Sequence, residues 1–468
     1  MEIRDPLYGL IEYSETEKAL MNTWALQRLR RIHQLAMAYL VYPSAHHNRF
    51  EHSIGVMHLA GEVAKRLAKS LGCGEKEIEL VRLAGLLHDV GHGPFSHVSE
   101  MVLKKDPEMK GKTESLHESI TADIILHWEE FDRIPSFSKE MREEVAAIIS
   151  GKRDDYLSQI ISGPIDVDKL DYLIRDSYFA GVKYGMFDLE KIKESITSVE
   201  GKELGIMYEG IHAIEQLLLA SYHMREQVYR HRVRRITDAM LVEGLSRAVK
   251  SKRLAEAAEN NHEFNIAKIY QYKNNSCEYL KHYMGFYDEK VLSILSDPTW
   301  EGESFYPLFK RLKERRLLKE VLSESLTKFA EDMMLRRSIR DKIENQDIKL
   351  AVVESIYNNL VRLPEFSQDF GITKELIIVD LESTKSPAYD LWEQYISGRG
   401  YDIIIVKNGQ TSSFMDESKI FAPPPSEDER TQISIYLPLD NTDTKKREEI
   451  RGRWVEPIKQ AIKEVFQR

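Results

Sequence analysis

The chain has 468 residues, enough for two or three structural units, and its 42% hydrophobic and 30% charged residues are the balance of an ordinary globular protein. A net charge of -10 argues against bulk nucleic-acid binding but leaves room for a small anionic substrate beside a local basic cluster. Cys73 and Cys277 set up neither a disulfide framework nor a zinc spacing, and no apolar run nears the ~20 residues that span a bilayer. The first residues lack a basic start followed by a hydrophobic stretch, so a cytoplasmic protein with no membrane partner is expected.

Residues 5–14 alternate apolar and polar around Gly9, which predicts a short hairpin or extended edge. Ser14 to Glu17 cap a helix predicted to reach about Leu35, carrying the basic run from Gln27 to Arg31. The turn from Tyr42 to Ser53 feeds a helix with apolar residues at Ile54, Leu59, Val63 and Leu67, ending at Gly72. His52 lies in its first turn, with Arg49 just before it. The next apolar helix (Ala84, Leu86, Leu87) runs directly into His88, Asp89, His92 and His97, broken by Gly91, Gly93 and Pro94. Ionisable groups stacked at the end of a core helix are costly unless paired or metal-bound. Imidazole with carboxylate is a common ligand set for divalent metals, and adjacent His88 and Asp89 can both reach one ion.

His117-Glu118 opens a helix to about Trp128, and residues 138–162 read as two short helices. Pro164 then marks the start of a helix on which Asp168, Tyr172 and Asp176 recur at four-residue steps and share a face. Residues 210–250 read as one long helix, carrying from Tyr229 to Arg235 the basic cluster that an anionic substrate requires. Residues 251–345 read as charged helices. After Pro364 come strand-like runs at 376–381, 403–406 and 433–437, a loop at 422–430 and a last helix from about Lys446 to Phe466. The expected architecture is mostly α: an all-helical core over 1–250, a helical scaffold or oligomerisation region over 251–363 and a small C-terminal α+β lobe over 364–468.

His52, His88-Asp89 and Asp168 occur in the order H…HD…D. With the strings Arg49-Phe50-Glu51-His52-Ser53, His88 to His97 and Ile165 to Tyr172, the chain resembles the HD superfamily of metal-dependent phosphohydrolases. Within it, the strings are most similar to the deoxynucleoside triphosphate triphosphohydrolases of the SAM-and-HD-domain type, from about Ile3 to about Arg235 and without a SAM domain. The resemblance implies a divalent metal, one of manganese, magnesium, iron, nickel, cobalt or zinc, held by His52, His88, Asp89 and Asp168. It implies that Arg49, Lys169, His92 and His117 neutralise phosphates, that His97 protonates the leaving oxygen, and that Glu100 orients that imidazole. Gln34, Leu35, Tyr172 and Asp176 match positions that hold the sugar and its 3′-hydroxyl, and Tyr229 would close the pocket.

Two positions depart from the family pattern. Ser221 stands where an arginine grips the terminal phosphate, and Arg225, one turn on, is the residue able to stand in for it. Asn22 replaces a guanine-reading aspartate of the regulatory site, while Gln27 and Arg30 match and keep a nucleotide activator among the expected partners. The expected function is hydrolysis of a nucleotide substrate, a deoxynucleoside triphosphate, to deoxynucleoside and inorganic triphosphate. Ser221 motivates a second reading, another phosphoesterase such as a nucleoside monophosphatase. A third is a catalytically silent regulator that binds nucleotide or single-stranded nucleic acid. The surface beyond one catalytic core leads us to expect a homo-oligomer, dimer or tetramer.

Overall fold

The computed structural model describes residues 1–71, 74–104, 116–153, 155–272, 276–325, 346–363, 372–385, 403–418, 420–421, 429–439 and 444–466. The chain forms two units, one from Met1–His231, Lys252–Val291 and Leu391–Pro423, the other from Arg232–Ser251, Leu292–Asp390 and Pro424–Arg468.

The first unit opens on the expected hairpin, β1 (Glu2–Asp5) and β2 (Gly9–Glu12), paired antiparallel. Asp5 Oδ1 accepts the N–H groups of Leu7 and Tyr8 to shape its turn, which Gly9 completes at a φ of 74°. Helix α1 (Glu15–Met21) begins with a capping box between Ser14 and Glu17. It does not continue to Leu35. The Thr23 hydroxyl donates to the Leu20 carbonyl at 2.7 Å and ends the first helix, and the chain restarts as α2 (Trp24–Leu29).

Helices α3 (Arg49–Leu71) and α4 (Glu75–Leu87) pack along one another, and α3 also meets α9 (Val167–Ala180). Their facing residues, Val56, Leu59 and Ala60 of α3, Leu83, Ala84 and Leu87 of α4, and Leu170 and Leu173 of α9, are fully buried. Each large one contributes roughly 1.5–3 kcal/mol by leaving water. Gly85 permits the close approach, since a Cβ there would meet Val56 and Met57 backbone at 3.0 Å. Between α4 and α9 come α5 (His97–Leu103), α6 (Leu116–His127), α7 (Lys139–Ile149) and α8 (Tyr156–Ile161). Pro164 lies in the turn before α9 rather than in it: Asp166 is the cap, accepting from Lys169 N at 2.8 Å, and Gly181 closes the helix at a φ of 71°.

After α10 (Leu189–Ser195), strands β3 (Ile196–Val199) and β4 (Glu203–Met207) form a four-stranded sheet with Ile404–Lys407 and Gln410–Ser413. Ile404–Lys407 pairs parallel to β4, so this late strand belongs to the first unit. The long helix expected over 210–250 is divided. α11 (Ile211–Met224) runs into a π-helical turn at Arg225–Tyr229, where Arg230 N bonds back to the Arg225 carbonyl, and the chain leaves helix before α12 (Arg232–Val249). α13 (Lys252–Asn260), α14 (Ile266–Ile269) and α15 (Cys277–Tyr283) belong to the first unit, and α16 (Asp288–Leu295) begins there.

In the second unit Glu429–Leu437 lies between Lys319–Ser325 and Ile378–Lys385 in an antiparallel sheet. The first of these strands interrupts a stretch expected to be helical. Ile433, Ile435 and Leu437 are buried with Val352, Ile356, Trp454 and Ile458 of helices Gln346–Val361 and Thr444–Phe466. Residues 422–428 of the expected loop lie outside the described residues. The chain is mostly helical with small sheets, as its composition and periodicity predict. Among the described residues no helix is long and apolar enough to cross a membrane.

Candidate functional site

His52 in the first turn of α3, His88 at the end of α4 and Asp89 after it are all buried, and their ligand atoms lie within 4.8 Å of one another. Asp168 joins them from the first turn of α9, its Oδ1 at 2.9 Å from His52 Nε2 and 3.7 Å from His88 Nε2. His52 Nδ1 faces Asp171 Oδ2 at 2.7 Å and His88 Nδ1 faces the Gly85 carbonyl at 2.8 Å. Both partners can only accept, so each Nδ1 carries a proton, and in the neutral rings both Nε2 atoms present lone pairs. Those two Nε2 atoms are 3.3 Å apart, with Asp89 Oδ1 at 3.4 Å from His88 Nε2. Lone pairs and carboxylates converging in a buried space repel unless a cation lies among them, so the donor set fits a divalent metal.

Burial lowers the affinity of His52 for a second proton, but hydrogen bonds to Asp168 and Asp171 outweigh it and push its pKa up to about 10 in the metal-free protein. That proton occupies the metal-facing nitrogen. At pH 8 we therefore expect manganese binding to release a proton from His52, seen as a dependence of calorimetric heat on buffer ionisation enthalpy between Tris and HEPES. The apparent affinity should weaken as pH falls. In the metal-free fold the same proton adds stability that is complete below pH 6.5 and is lost as pH rises through about 10.

Sequence reasoning did not single out Asp171, which is fully buried and fixes His52. It forms a two-pronged ion pair with Arg175 at 2.8 and 2.9 Å and accepts the Tyr8 hydroxyl at 2.8 Å. Arg175 in turn meets Asp5 at 2.9 Å, which ties the N-terminal hairpin to the site. Burial opposes the Asp171 charge, yet Arg175 and His52 hold its pKa below the usual carboxylate range. The available signal was spacing: Asp171 lies one turn after Asp168, and Arg175 four residues after that.

A second group adjoins the first. His92, His97, Glu100 and His117 offer ligand atoms within 4.8 Å of one another. Glu100 Oε1 is 2.8 Å from His117 Nδ1, 3.1 Å from His97 Nδ1 and 3.8 Å from His92 Nδ1. The rings of His92 and His117 stack at 4.0 Å, and His92 Nε2 reaches Asp89 Oδ1 at 3.2 Å. Burial, Arg49 and His117 keep His92 neutral, whereas Glu100 overcomes burial to raise the His117 pKa. Gly91 makes this possible, since a Cβ there would come within 2.3 Å of the His117 carbonyl on α6. His97 alone of the four is largely open, its side chain 65% exposed.

Arg49 bridges the two groups. Its Nη1 donates to Asp89 Oδ2 at 2.5 Å and its Nε to Ser96 Oγ at 2.8 Å, while its Nη2 is buried with no hydrogen-bond partner among the described residues. Lys169 Nζ pairs with Asp166 and donates to the Gly163 carbonyl at 2.9 Å.

Asp176, on the same helix as Asp168 and Tyr172, is joined by a residue the sequence reading passed over. His47 Nε2 meets its Oδ1 and the Tyr229 hydroxyl donates to its Oδ2, both at 2.7 Å. Tyr172 and Tyr229 make an edge contact at 6.3 Å. Gln34 bonds through its backbone N–H to the His47 carbonyl, its own Oε1 buried without a partner, and Leu35 beside it is buried. Ser221 is buried on α11, with Arg225 opening the π-helical turn that leads to Tyr229. Asn22 caps the end of α1. Gln27 accepts from Arg30 Nε at 3.0 Å, and the Arg30 guanidinium lies 3.6 Å from the Phe50 ring centre.

Residues 49–176 match the HD domain and residues 187–292 the HD associated region. An uncharacterized protein of Methanocaldococcus jannaschii is 38% identical over 255 residues, 54% of this chain and 51% of its own. The deoxynucleoside triphosphate triphosphohydrolase SAMHD1 of Bos taurus is 31% identical over 288 residues, 53% of this chain and 47% of its own. The chain thus spans about half the length of these curated relatives. The crystal structure of a phosphohydrolase from Bacteroides thetaiotaomicron shares the fold over 93% of this chain and 99% of that one, with a TM-score of 0.69 at 23% identity. With the HD domain and its associated region following one another, and His52, His88 and Asp89 placed so that they could hold a metal ion with Asp168 beside them, the chain belongs to the HD superfamily.

Proposed function

We propose that the protein is a metal-dependent phosphohydrolase that cleaves deoxynucleoside triphosphates into deoxynucleoside and inorganic triphosphate. The observation that carries this reading is the unpartnered Nη2 of Arg49, buried beside the metal-binding group. A buried donor without a partner costs about 1–3 kcal/mol, more when charged, and a phosphoryl oxygen answers it. A divalent cation on His52, His88, Asp89 and Asp168 would supply Lewis acidity at the phosphorus and lower the pKa of the attacking water.

The remaining roles belong to the chain's own side chains. Arg49 and His117 would hold phosphate oxygens, with Glu100 raising the His117 pKa against the effect of burial. His92, stacked on His117, would add a neutral donor or acceptor. As the bond from the α-phosphorus to the 5′-oxygen breaks, the imidazolium form of His97, with its Nδ1–H held by Glu100 at 3.1 Å, would give its Nε2 proton to that oxygen and be left neutral. Lys169, paired with Asp166, would neutralise a further phosphate oxygen. Asp176, oriented by His47 and Tyr229, is suited to accept a 3′-hydroxyl, and the Gln34 Oε1 beside that network also lacks a donor. Tyr172, in edge contact with Tyr229, would lie under the sugar, a physical means of excluding a 2′-hydroxyl.

Ser221 supports a second reading. With serine in place of a phosphate-gripping arginine, the site would take a shorter phosphate chain, as a monophosphatase does. Product analysis separates the two. Purified protein would be incubated with each dNTP, NTP and NMP and with Mg²⁺, Mn²⁺, Co²⁺ or Ni²⁺, and products resolved by ion exchange. We expect deoxynucleoside plus intact triphosphate from dNTPs; orthophosphate from monophosphates would replace this reading with the second.

A further inference from the structure

We propose that Asp288, the first residue of α16, is a positioning residue that clamps the Phe95–Ser96 turn and through it sets Arg49 against the phosphate site. What the clamp serves rests on the function proposed above; the clamp itself rests on the geometry that follows.

Phe95 and Ser96 are consecutive non-glycine residues in the left-handed region, at φ of 62° and 56°. Each such residue costs about 1 kcal/mol or more, and the conformation persists only where its surroundings over-determine it. Asp288 supplies the determination. It is 4% exposed, and its Oδ1 accepts the Phe95 N–H at 2.6 Å. Its Oδ2 accepts both the backbone N–H and Nδ1 of His33 at 2.9 Å. The Ser96 hydroxyl donates to the His33 carbonyl at 2.7 Å and accepts Arg49 Nε at 2.8 Å. Arg49 Nη1 then meets Asp89. One carboxylate thereby fixes both sides of the turn and the guanidinium beyond it.

The other end of the turn is held by the same stretch of chain. The Tyr283 hydroxyl donates to the Gly91 carbonyl at 2.7 Å. Buried Arg28 donates from Nη1 to the His92 carbonyl at 2.9 Å and from Nε to the Phe286 carbonyl at 2.8 Å. Residues 283–288 therefore grip residues 91–96 at both ends, and these fall in the stretch matched as HD associated region. The metal-binding side chains on α3, α4 and α9 take no bond from this segment. A clamp and a merely structural contact thus differ in outcome: loss of the clamp should weaken phosphate binding and leave the metal in place.

Asp288→Asn tests this. The shape is kept, but one carbonyl oxygen and an amide replace two acceptors facing three donors. The full chain, loaded with manganese, would be measured for metal per chain, for tripolyphosphate affinity by calorimetry and for amide exchange of peptide 90–97 by mass spectrometry. We expect wild-type metal content, tripolyphosphate affinity lower by about tenfold or more and faster exchange in 90–97. Tyr272→Phe is the control. It removes a hydroxyl bonded to buried Asp123 at 2.8 Å rather than to residues 91–96, and is expected to leave all three readings unchanged. Should Asp288→Asn fail to fold, Ser96→Ala breaks the link to Arg49 and is expected to lower tripolyphosphate affinity with the metal retained. Wild-type affinity and exchange in Asp288→Asn overturn the proposal, as does metal loss in step with phosphate loss or an equal loss in Tyr272→Phe. A wild-type chain that releases no triphosphate from any dNTP refutes the proposed function in its own assay. If it also fails to bind tripolyphosphate, the exchange of 90–97 decides the clamp alone.

Discussion

Replacing His88 by alanine is expected to strip the protein of its divalent metal and lower dNTP hydrolysis by about a thousandfold or more, the scale of several kcal/mol of transition-state stabilisation. His88 has its Nδ1 held by the Gly85 carbonyl of its own helix rather than by an ionisable side chain. Its removal therefore takes away one metal ligand and leaves the ion pairs of Arg49 with Asp89 and of Arg175 with Asp171 in place. Elemental analysis after dialysis, with turnover assayed at low and at millimolar manganese, checks the claim. Partial recovery at high manganese fits a weakened site. Wild-type metal content together with wild-type turnover in His88→Ala would falsify the metal mechanism altogether.

The metal-binding group was legible because its four residues are short-range consequences of pattern. An apolar helix that ends on His88-Asp89, and a helix that begins near Asp168, place their polar termini at the edge of a shared core, where α3 meets both α4 and α9. The closeness of His92 and His97 to that pair was legible for the same reason, since Gly91 and Pro94 turn the chain immediately after His88-Asp89. Helix ends were harder. The break at Thr23 depends on one hydroxyl reaching back to Leu20, and the π-helical turn before Arg230 on a backbone bond to Arg225; neither leaves a mark in hydrophobic periodicity. Of the residues passed over, His47 and Asp288 act through partners far away in sequence, and Asp171 joins such partners, His52 and Tyr8, to the near one, Arg175. Asp288 reaches Phe95 across 193 positions, and Tyr8 reaches Asp171 across 163. Such pairings become visible only when the fold has brought the segments together.

Asp171→Asn should affect metal affinity and stability together, for separable reasons. The asparagine keeps the shape of the carboxylate but can offer its oxygen to only part of a ring of donors made by His52 Nδ1, the Tyr8 hydroxyl and two nitrogens of Arg175. With an amide facing it, His52 does best by moving its proton to Nε2, the atom that faces the metal. A ring in that tautomer has no lone pair to give, so manganese affinity should fall by about ten- to a hundredfold, the usual cost of losing a partner behind a ligating histidine. Arg175 meanwhile remains fully buried with Asp5 as its one carboxylate, still at 2.9 Å. Removing one partner of a buried ion pair costs about 3–5 kcal/mol, and the surviving Asp5 contact brings the expectation to the lower end, about 3 kcal/mol. Urea unfolding in EDTA reads the stability loss free of metal linkage, and calorimetric titration with manganese reads the affinity. A variant that loses stability and binds manganese as tightly as the wild type would confine Asp171 to the ion pair with Arg175. One that loses metal affinity and keeps its stability would mean that Asp5 suffices for Arg175. Loss of both is what a single carboxylate shared by His52 and Arg175 requires.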